Sequence, residues 1–121
     1  AVPAVRPDVA IVHAQESDRA GNVQLWGIPG VQKEALLAAS RTLVTVELVV
    51  DELEPRPGAV MIPTWVLDAV AHAPGGSLPS YAHGITDRDN DFYRFWDEVS
   101  RDRDAFTAWM NEHVLGGVTA R

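Results

Sequence analysis

Residues 72 to 84, HAPGGSLPSYAHG, bring histidines, adjacent glycines, hydroxyls and prolines into one stretch that cannot extend a helix. Such residue types support three readings. His72 and His83 could be metal ligands, the backbone N–H groups of Gly75 and Gly76 could cradle an anion with help from Ser77, Ser80 and Tyr81, or the segment could be a plain turn. Zinc requires three or four ligands in fixed geometry, and no carboxylate stands at a recurring ligand spacing between the histidines, so no metal is expected. Glycine lets a backbone approach a ligand closely, which keeps the cradle in play beside the turn.

Open α/β sheets place ligands beyond the carboxyl ends of their strands. Three stretches, HAQESD, VELVVDE and HAPGGSLPS, each show an apolar run giving way to polar residues, which makes Gln15, Glu47 and Ser80 candidates for one shared crevice. Glu47 sits inside the β-branched run VTVELVV, where a carboxylate must be paired or carry a raised pKa if it is buried. His13 closes an apolar run and His113 lies in the last helical segment, and both read as satisfied core or capping histidines. No G-x-S-x-G, Walker or dinucleotide-binding glycine pattern is present.

The elements that must position these residues follow from periodicity. DVAIVHA, residues 8 to 14, reads as a strand buried on both faces, and NVQLWG, residues 22 to 27, as a second strand, joined by the polar turn QESDRAG into a hairpin. Residues 31 to 40 have helix formers with apolar positions 31, 35, 36 and 39 on one face. Residues 42 to 50 read as the next strand, and AVMIP and WVLDAVAH are further apolar runs. Thr86 and Asp89 have capping-box spacing ahead of Phe92, Phe95, Trp96 and Val99, which predicts an amphipathic helix. Phe106, Trp109, Met110 and Val114 repeat the pattern in a second helix that could run on from the first and stops at Gly116 and Gly117. The fold class expected is α/β, a partly parallel sheet with flanking helices.

At 121 residues, 46% hydrophobic and 22% charged, the chain is expected to form a single domain over residues 1 to 121, neither disordered nor fibrous. The formal charge of -7 is spread evenly, with 5 basic and 8 acidic side chains in residues 1 to 60 and 5 and 9 in residues 61 to 121. No basic stripe exists to replace phosphate counterions, so nucleic acid is not an expected partner. No apolar run approaches the roughly 18 residues that span a bilayer, so no membrane association is expected. No leader is visible and cysteine is absent, which points to a cytoplasmic protein without disulfide or thiolate chemistry.

Four stretches, PDVAIVHAQESDRAGNVQLWG, VTVELVVDEL, AHAPGGSLPSYAHG and YRFWDEVSRDRDAFTAWM, resemble the C-terminal half of the A-type subunit of the class I CoA-transferases, in particular the glutaconate CoA-transferase-like branch. The resemblance runs over essentially all 121 residues, and its firmest blocks are His13 to Val23 and Pro74 to Ser80. It implies the NagB/RpiA/CoA-transferase-like fold and a ping-pong transfer of CoA between an acyl-CoA thioester and a carboxylic acid such as a dicarboxylate or 3-oxo acid. The attacking glutamate belongs to the B-type partner in such enzymes, so the resemblance assigns no catalytic residue to this chain. It implies a substrate-binding role for the turn holding Gly75, Gly76 and Ser80, with Gln15 and Asn22 as outer contacts, while Glu47 is placed in the same crevice by the strand ends alone. Coenzyme A enters as part of the acyl-CoA substrate, with no bound cofactor. The expected partners are the B-type CoA-transferase subunit, the missing N-terminal half of the A-type polypeptide and the acyl-CoA itself. This chain alone is then expected to be inactive. Two alternatives stand beside that expectation: a subunit of a ring-cleaving hydrolase acting on a CoA ester in steroid degradation, and a non-catalytic assembly domain whose aromatic helices dock a partner.

Overall fold

The computed structural model describes residues 2 to 116, which divide into two compact units, one up to Asp87 and one from Arg88 onward. The first unit is built on five strands, β1 (Val9–Asp18), β2 (Val23–Leu25), β3 (Arg41–Val50), β4 (Val60–Ile62) and β5 (Ala69–His72), with one helix, α1 (Gln32–Ala38). The sheet order is β4-β2-β1-β3-β5. β1 runs antiparallel to β2 and parallel to β3, and β3 runs parallel to β5, so the sheet is mixed with a parallel core. The hairpin, the strand at 42 to 50 and the α/β class expected from the sequence are therefore present.

Period 2 in β1 and β3 decides what is buried. Ala10, Val12 and Ala14 of β1 and Val44 and Val46 of β3 point to one face, where they form the core with Val23, Leu25, Leu36 of α1 and Ile62. On the other face Val9, Ile11 and Leu43 remain exposed. The register places Ile11 beside Leu43 and Leu43 beside Ala69, giving an uncovered apolar row across three strands. β5 is tied to the start of β3 by Asp68, whose carboxylate accepts from the Thr42 N–H at 2.8 Å, while the Thr42 hydroxyl donates to the Val66 carbonyl at 2.7 Å.

Two boundaries depart from the sequence reading. β1 does not end at Ala14 but continues through Gln15, Glu16 and Ser17 to Asp18, and all three of those polar side chains are buried. The turn is correspondingly tighter: Gly21 adopts φ +86°, its N–H donates to the Asp18 carbonyl, and a Cβ there would meet the Thr64 hydroxyl at 2.9 Å.

The second unit holds α2 (Asn90–Val99) and α3 (Arg103–Met110), followed by a π-helical turn over Asn111–Leu115. The capping box is corrected here. Asp89 is itself the N-cap, its carboxylate accepting from the Phe92 N–H at 2.8 Å, and Thr86 instead forms an isolated bridge with Ala82. The two helices are separate because Asp102 caps the second, accepting from the Ala105 N–H. Phe92 stacks on Trp96, and Trp96 meets Trp109 edge-on at 4.7 Å, yet no residue of either helix is fully buried within the chain. Gly116 closes the turn, and Gly117 lies outside the described residues.

Candidate functional site

The parallel register of β1 and β3 sets His13 beside Thr45, and two residues further along β3 the side chain of Glu47 projects to the same face. His13 Nε2 lies 2.8 Å from Glu47 Oε1, and its Nδ1 lies 2.8 Å from Thr45 Oγ1. An ionised carboxylate only accepts, so Nε2–H donates to Glu47, and in the neutral ring Nδ1 accepts from the Thr45 hydroxyl. Both ring nitrogens are thereby occupied.

Glu47 is 3% exposed and takes further donors from the 73 to 77 turn. The Gly75 N–H donates to Oε2 at 2.6 Å and the Ser77 hydroxyl donates to Oε1 at 3.1 Å, while His72 Nε2 donates to the Glu47 backbone carbonyl at 3.1 Å. Burial pushes this carboxyl up, but the Gly75 N–H, His13 and Ser77 together outweigh it and hold the group below the ordinary glutamate value. The pairing that the sequence demands of a buried Glu47 is thus found. Of the two glycine N–H groups only that of Gly75 meets an anion, and that anion is the chain's own Glu47.

Both glycines have physical reasons to be glycine. Gly75 adopts φ +72°, and a Cβ on Gly76 would stand 2.8 Å from both the Ala73 carbonyl oxygen and His13 Cε1. The Gly76 N–H donates back to Ala73, and that of Ser80 to the Ser77 carbonyl. These bonds turn the loop's donors inward.

A cavity of about 210 Å³ opens beside this arrangement, walled by His13 and Gln15 of β1, Trp26 after β2, Gln32 at the start of α1, and Tyr81 and His83. Of the three candidates for a shared crevice, Gln15 alone is in its wall, together with Tyr81 and His83 of the 72 to 84 stretch. The Gln15 amide is engaged, since Nε2 donates to the Trp26 carbonyl at 3.1 Å and Oε1 accepts from the Trp26 N–H at 3.2 Å, prolonging the β1–β2 ladder past the end of β2. Glu47 reaches the cavity through His13. Ser80 is exposed and lines no part of it. Asn22 lies elsewhere: its backbone N–H and side-chain amide both donate to Asp18, and its Oδ1 accepts from the Thr64 N–H, so it fixes the β1–β2 turn. The structure therefore gathers Gln15, Glu47, Gly75 and Gly76 around His13 and leaves Asn22 and Ser80 apart.

Sequence reasoning passes over Trp26 and Arg56, weighs His83 only as a metal ligand, and reads His13 only as a satisfied core or capping histidine. A signal for His13 exists, because strands paired in parallel with period 2 put His13, Thr45 and Glu47 on one face. A second hollow, about 470 Å³, shares Trp26 and His83 with the first and adds Arg56. Among the described residues no group of His, Cys, Asp and Glu is disposed to hold a metal, and no helix is long and apolar enough to cross a membrane.

The coenzyme A transferase family model matches residues 1 to 73, more than half of the sequence. The chain belongs to that family. Over 96% of its length it is 60% identical to the A-type subunit of 3-oxoadipate CoA-transferase from Pseudomonas knackmussii, covering 41% of that protein. The A-type subunit of glutaconate CoA-transferase from Acidaminococcus fermentans is 39% identical over 95% of the chain, which covers 37% of it. The crystal structure of glutaconate coenzyme A-transferase from that organism superposes with a TM-score of 0.81 at 38% identity, over 93% of this chain and 36% of that one. The cholesterol ring-cleaving hydrolase IpdA subunit of Mycobacterium tuberculosis is more distant, at 31% identity over 96% of the chain and 41% of that protein. The chain thus spans about two fifths of the length of these CoA-transferase family relatives.

Proposed function

We propose that this chain is a segment of the A-type subunit of a CoA-transferase and forms part of the pocket for a small dicarboxylic acid. The observation that carries the reading is the 60% identity to the corresponding subunit of 3-oxoadipate CoA-transferase across nearly the whole chain. The reaction exchanges partners without water or redox change: R–CO–SCoA and R′–COO⁻ become R–COO⁻ and R′–CO–SCoA, one thioester breaking as another forms.

The chemistry of the site fits a supporting role. Glu47, the obvious carboxylate, has its oxygens taken by His13, Gly75 and Ser77 and sits behind His13, so it makes a poor nucleophile. The attacking carboxylate then comes from a B-type partner, and assembly is hetero-oligomeric. Gly75, Gly76 and Glu47 act as a buttress that holds His13 and the cavity wall in place, Gln15 shapes the cavity from β1, and Asn22 and Ser80 contribute at most from outside it. The cavity of about 210 Å³ is below the usual range for drug-sized ligands, which suits the acid rather than coenzyme A. The remainder of a longer A-type polypeptide covers the bare row of Ile11, Leu43 and Ala69, because parallel strands are ordinarily packed on both faces.

The test uses the full-length A-type polypeptide containing this segment, assembled with its B-type partner. Labelled CoA should move from an acyl-CoA to a free dicarboxylic acid. Release of free CoA with no acid consumed would overturn the transferase reading in favour of a hydrolase.

A further inference from the structure

We propose that Arg56, braced between Glu16 and Trp26 and facing His83, binds the second carboxylate of the dicarboxylic acid, the one that stays ionised while the other carries CoA. The inference rests on the transferase reading and adds the residue that selects the acid. The two hollows beside β1 and β2 share Trp26 and His83 as walls, and Arg56 is the cation lining the larger of them. An acid lying across both would therefore have one end among His13 and Gln15 and the other at the guanidinium.

Arg56 is built to recognise rather than to wander. Its Nη2 donates to Glu16 Oε1 at 3.1 Å, and the Glu16 side chain is only 9% exposed. Its guanidinium carbon lies 4.4 Å from the centroid of the Trp26 ring, within the range of a cation–π contact. A fork held on two sides loses little further freedom when a ligand arrives, and an arginine carries more N–H donors than the Glu16 bond uses. The side chain is nevertheless 50% exposed, which leaves donors open to the hollow.

The surrounding backbone keeps that hollow free. Gly27, Gly58 and Gly84 line it with φ of 94°, 75° and 78°, so side chains are excluded from the mouth on conformational grounds. A Cβ on Gly27 would stand 3.0 Å from the His83 Cβ. Within the described residues, the His83 ring and the Tyr81 hydroxyl form no hydrogen bond of their own, although His83 lines both hollows and Tyr81 the smaller. A ring N–H of His83 and the Tyr81 hydroxyl can each donate to an anion held by the arginine.

Arg56→Lys, Arg56→Ala and His83→Gln would be made in the assembled transferase and assayed with a dicarboxylic acid and a monocarboxylic acid of equal carbon number. The expected result for both Arg56 variants is a rise of about tenfold or more in the ratio of KM for the dicarboxylic to KM for the monocarboxylic acid, with a smaller rise for His83→Gln. An unchanged ratio in Arg56→Lys, which keeps the charge for Glu16, overturns the proposal even if Arg56→Ala fails to fold. Saturation-transfer NMR with the dicarboxylic acid alone separates this inference from the reading beneath it. Binding to the wild-type assembly that is lost in Arg56→Lys supports the arginine site even where no CoA is transferred, and absence of wild-type binding overturns it.

Discussion

One face of the β1–β3 ladder is divided along its length. In its first half, Val9, Ile11 and Leu43 are apolar and exposed. In its second half, His13, Thr45 and Glu47 are polar and covered, with the 73 to 77 turn closed over them. Hydrophobicity alone predicts the reverse. The difference teaches that burial here follows from which segment can satisfy a face: a turn rich in N–H and hydroxyl donors can seal a carboxylate, whereas an apolar row needs apolar surface that this segment does not bring to it.

Removing the carboxylate attacks the covered half most directly. Glu47→Ala leaves the Gly75 N–H, the Ser77 hydroxyl and His13 Nε2 without their acceptor and should cost about 3 kcal/mol, measured as a fall in the urea midpoint at constant slope. Gly76→Val is expected next, at about 2 kcal/mol, because its Cβ meets a backbone oxygen and the His13 ring at 2.8 Å and neither can yield freely. If Gly76→Val proved neutral, the turn would not be packed on His13.

The acid side of the stability profile sharpens the same contrast. Glu47 has a folded value below its ordinary 4.5, so its contribution is fully present above that pH and is lost as pH falls through the lower, folded value. Glu47→Gln should flatten that acid limb, and an unaltered slope would show that Glu47 is not the group responsible. Asp68, held low chiefly by the Thr42 N–H and Arg41, should leave a residual limb in the variant. Ile11→Thr, on the bare half, should shift stability of this segment by less than about 0.5 kcal/mol. The same change in the full-length A-type polypeptide should cost more, since the row is proposed to be covered there.

Much of the scaffold is legible in the sequence because apolar period 2 and 3.6 patterns are local: the β3 run, the hairpin and the helices after residue 89 all follow from them. What escapes is the continuation of β1 through Gln15, Glu16 and Ser17, because polar residues read as a turn when their partners, the Trp26 backbone and Arg56, lie far along the chain. Glu47 is visible as a buried charge in need of a partner, yet the partner is assignable only once β1 and β3 are known to be parallel. The loop at 72 to 84 is recognisable as able to hold an anion, but a sequence does not reveal that a neighbouring strand of the same chain provides one. Arg56 gives no local signal, since it stands in a breaker, EPRPG, whose composition argues only for an irregular connection.

The mixed sheet also fixes an order of assembly. Glu16 pairs with Gln24 across a short turn, whereas His13 and Thr45 are 32 residues apart and Glu47 and Gly75 another 28. Loop-closure entropy makes the near pairing quick and the distant ones slow. Pulse-labelled hydrogen exchange should therefore protect the amides of Val23 to Leu25 well before that of Gly75, and during synthesis the turn that seals Glu47 is the last piece of the sheet's polar half to leave the ribosome.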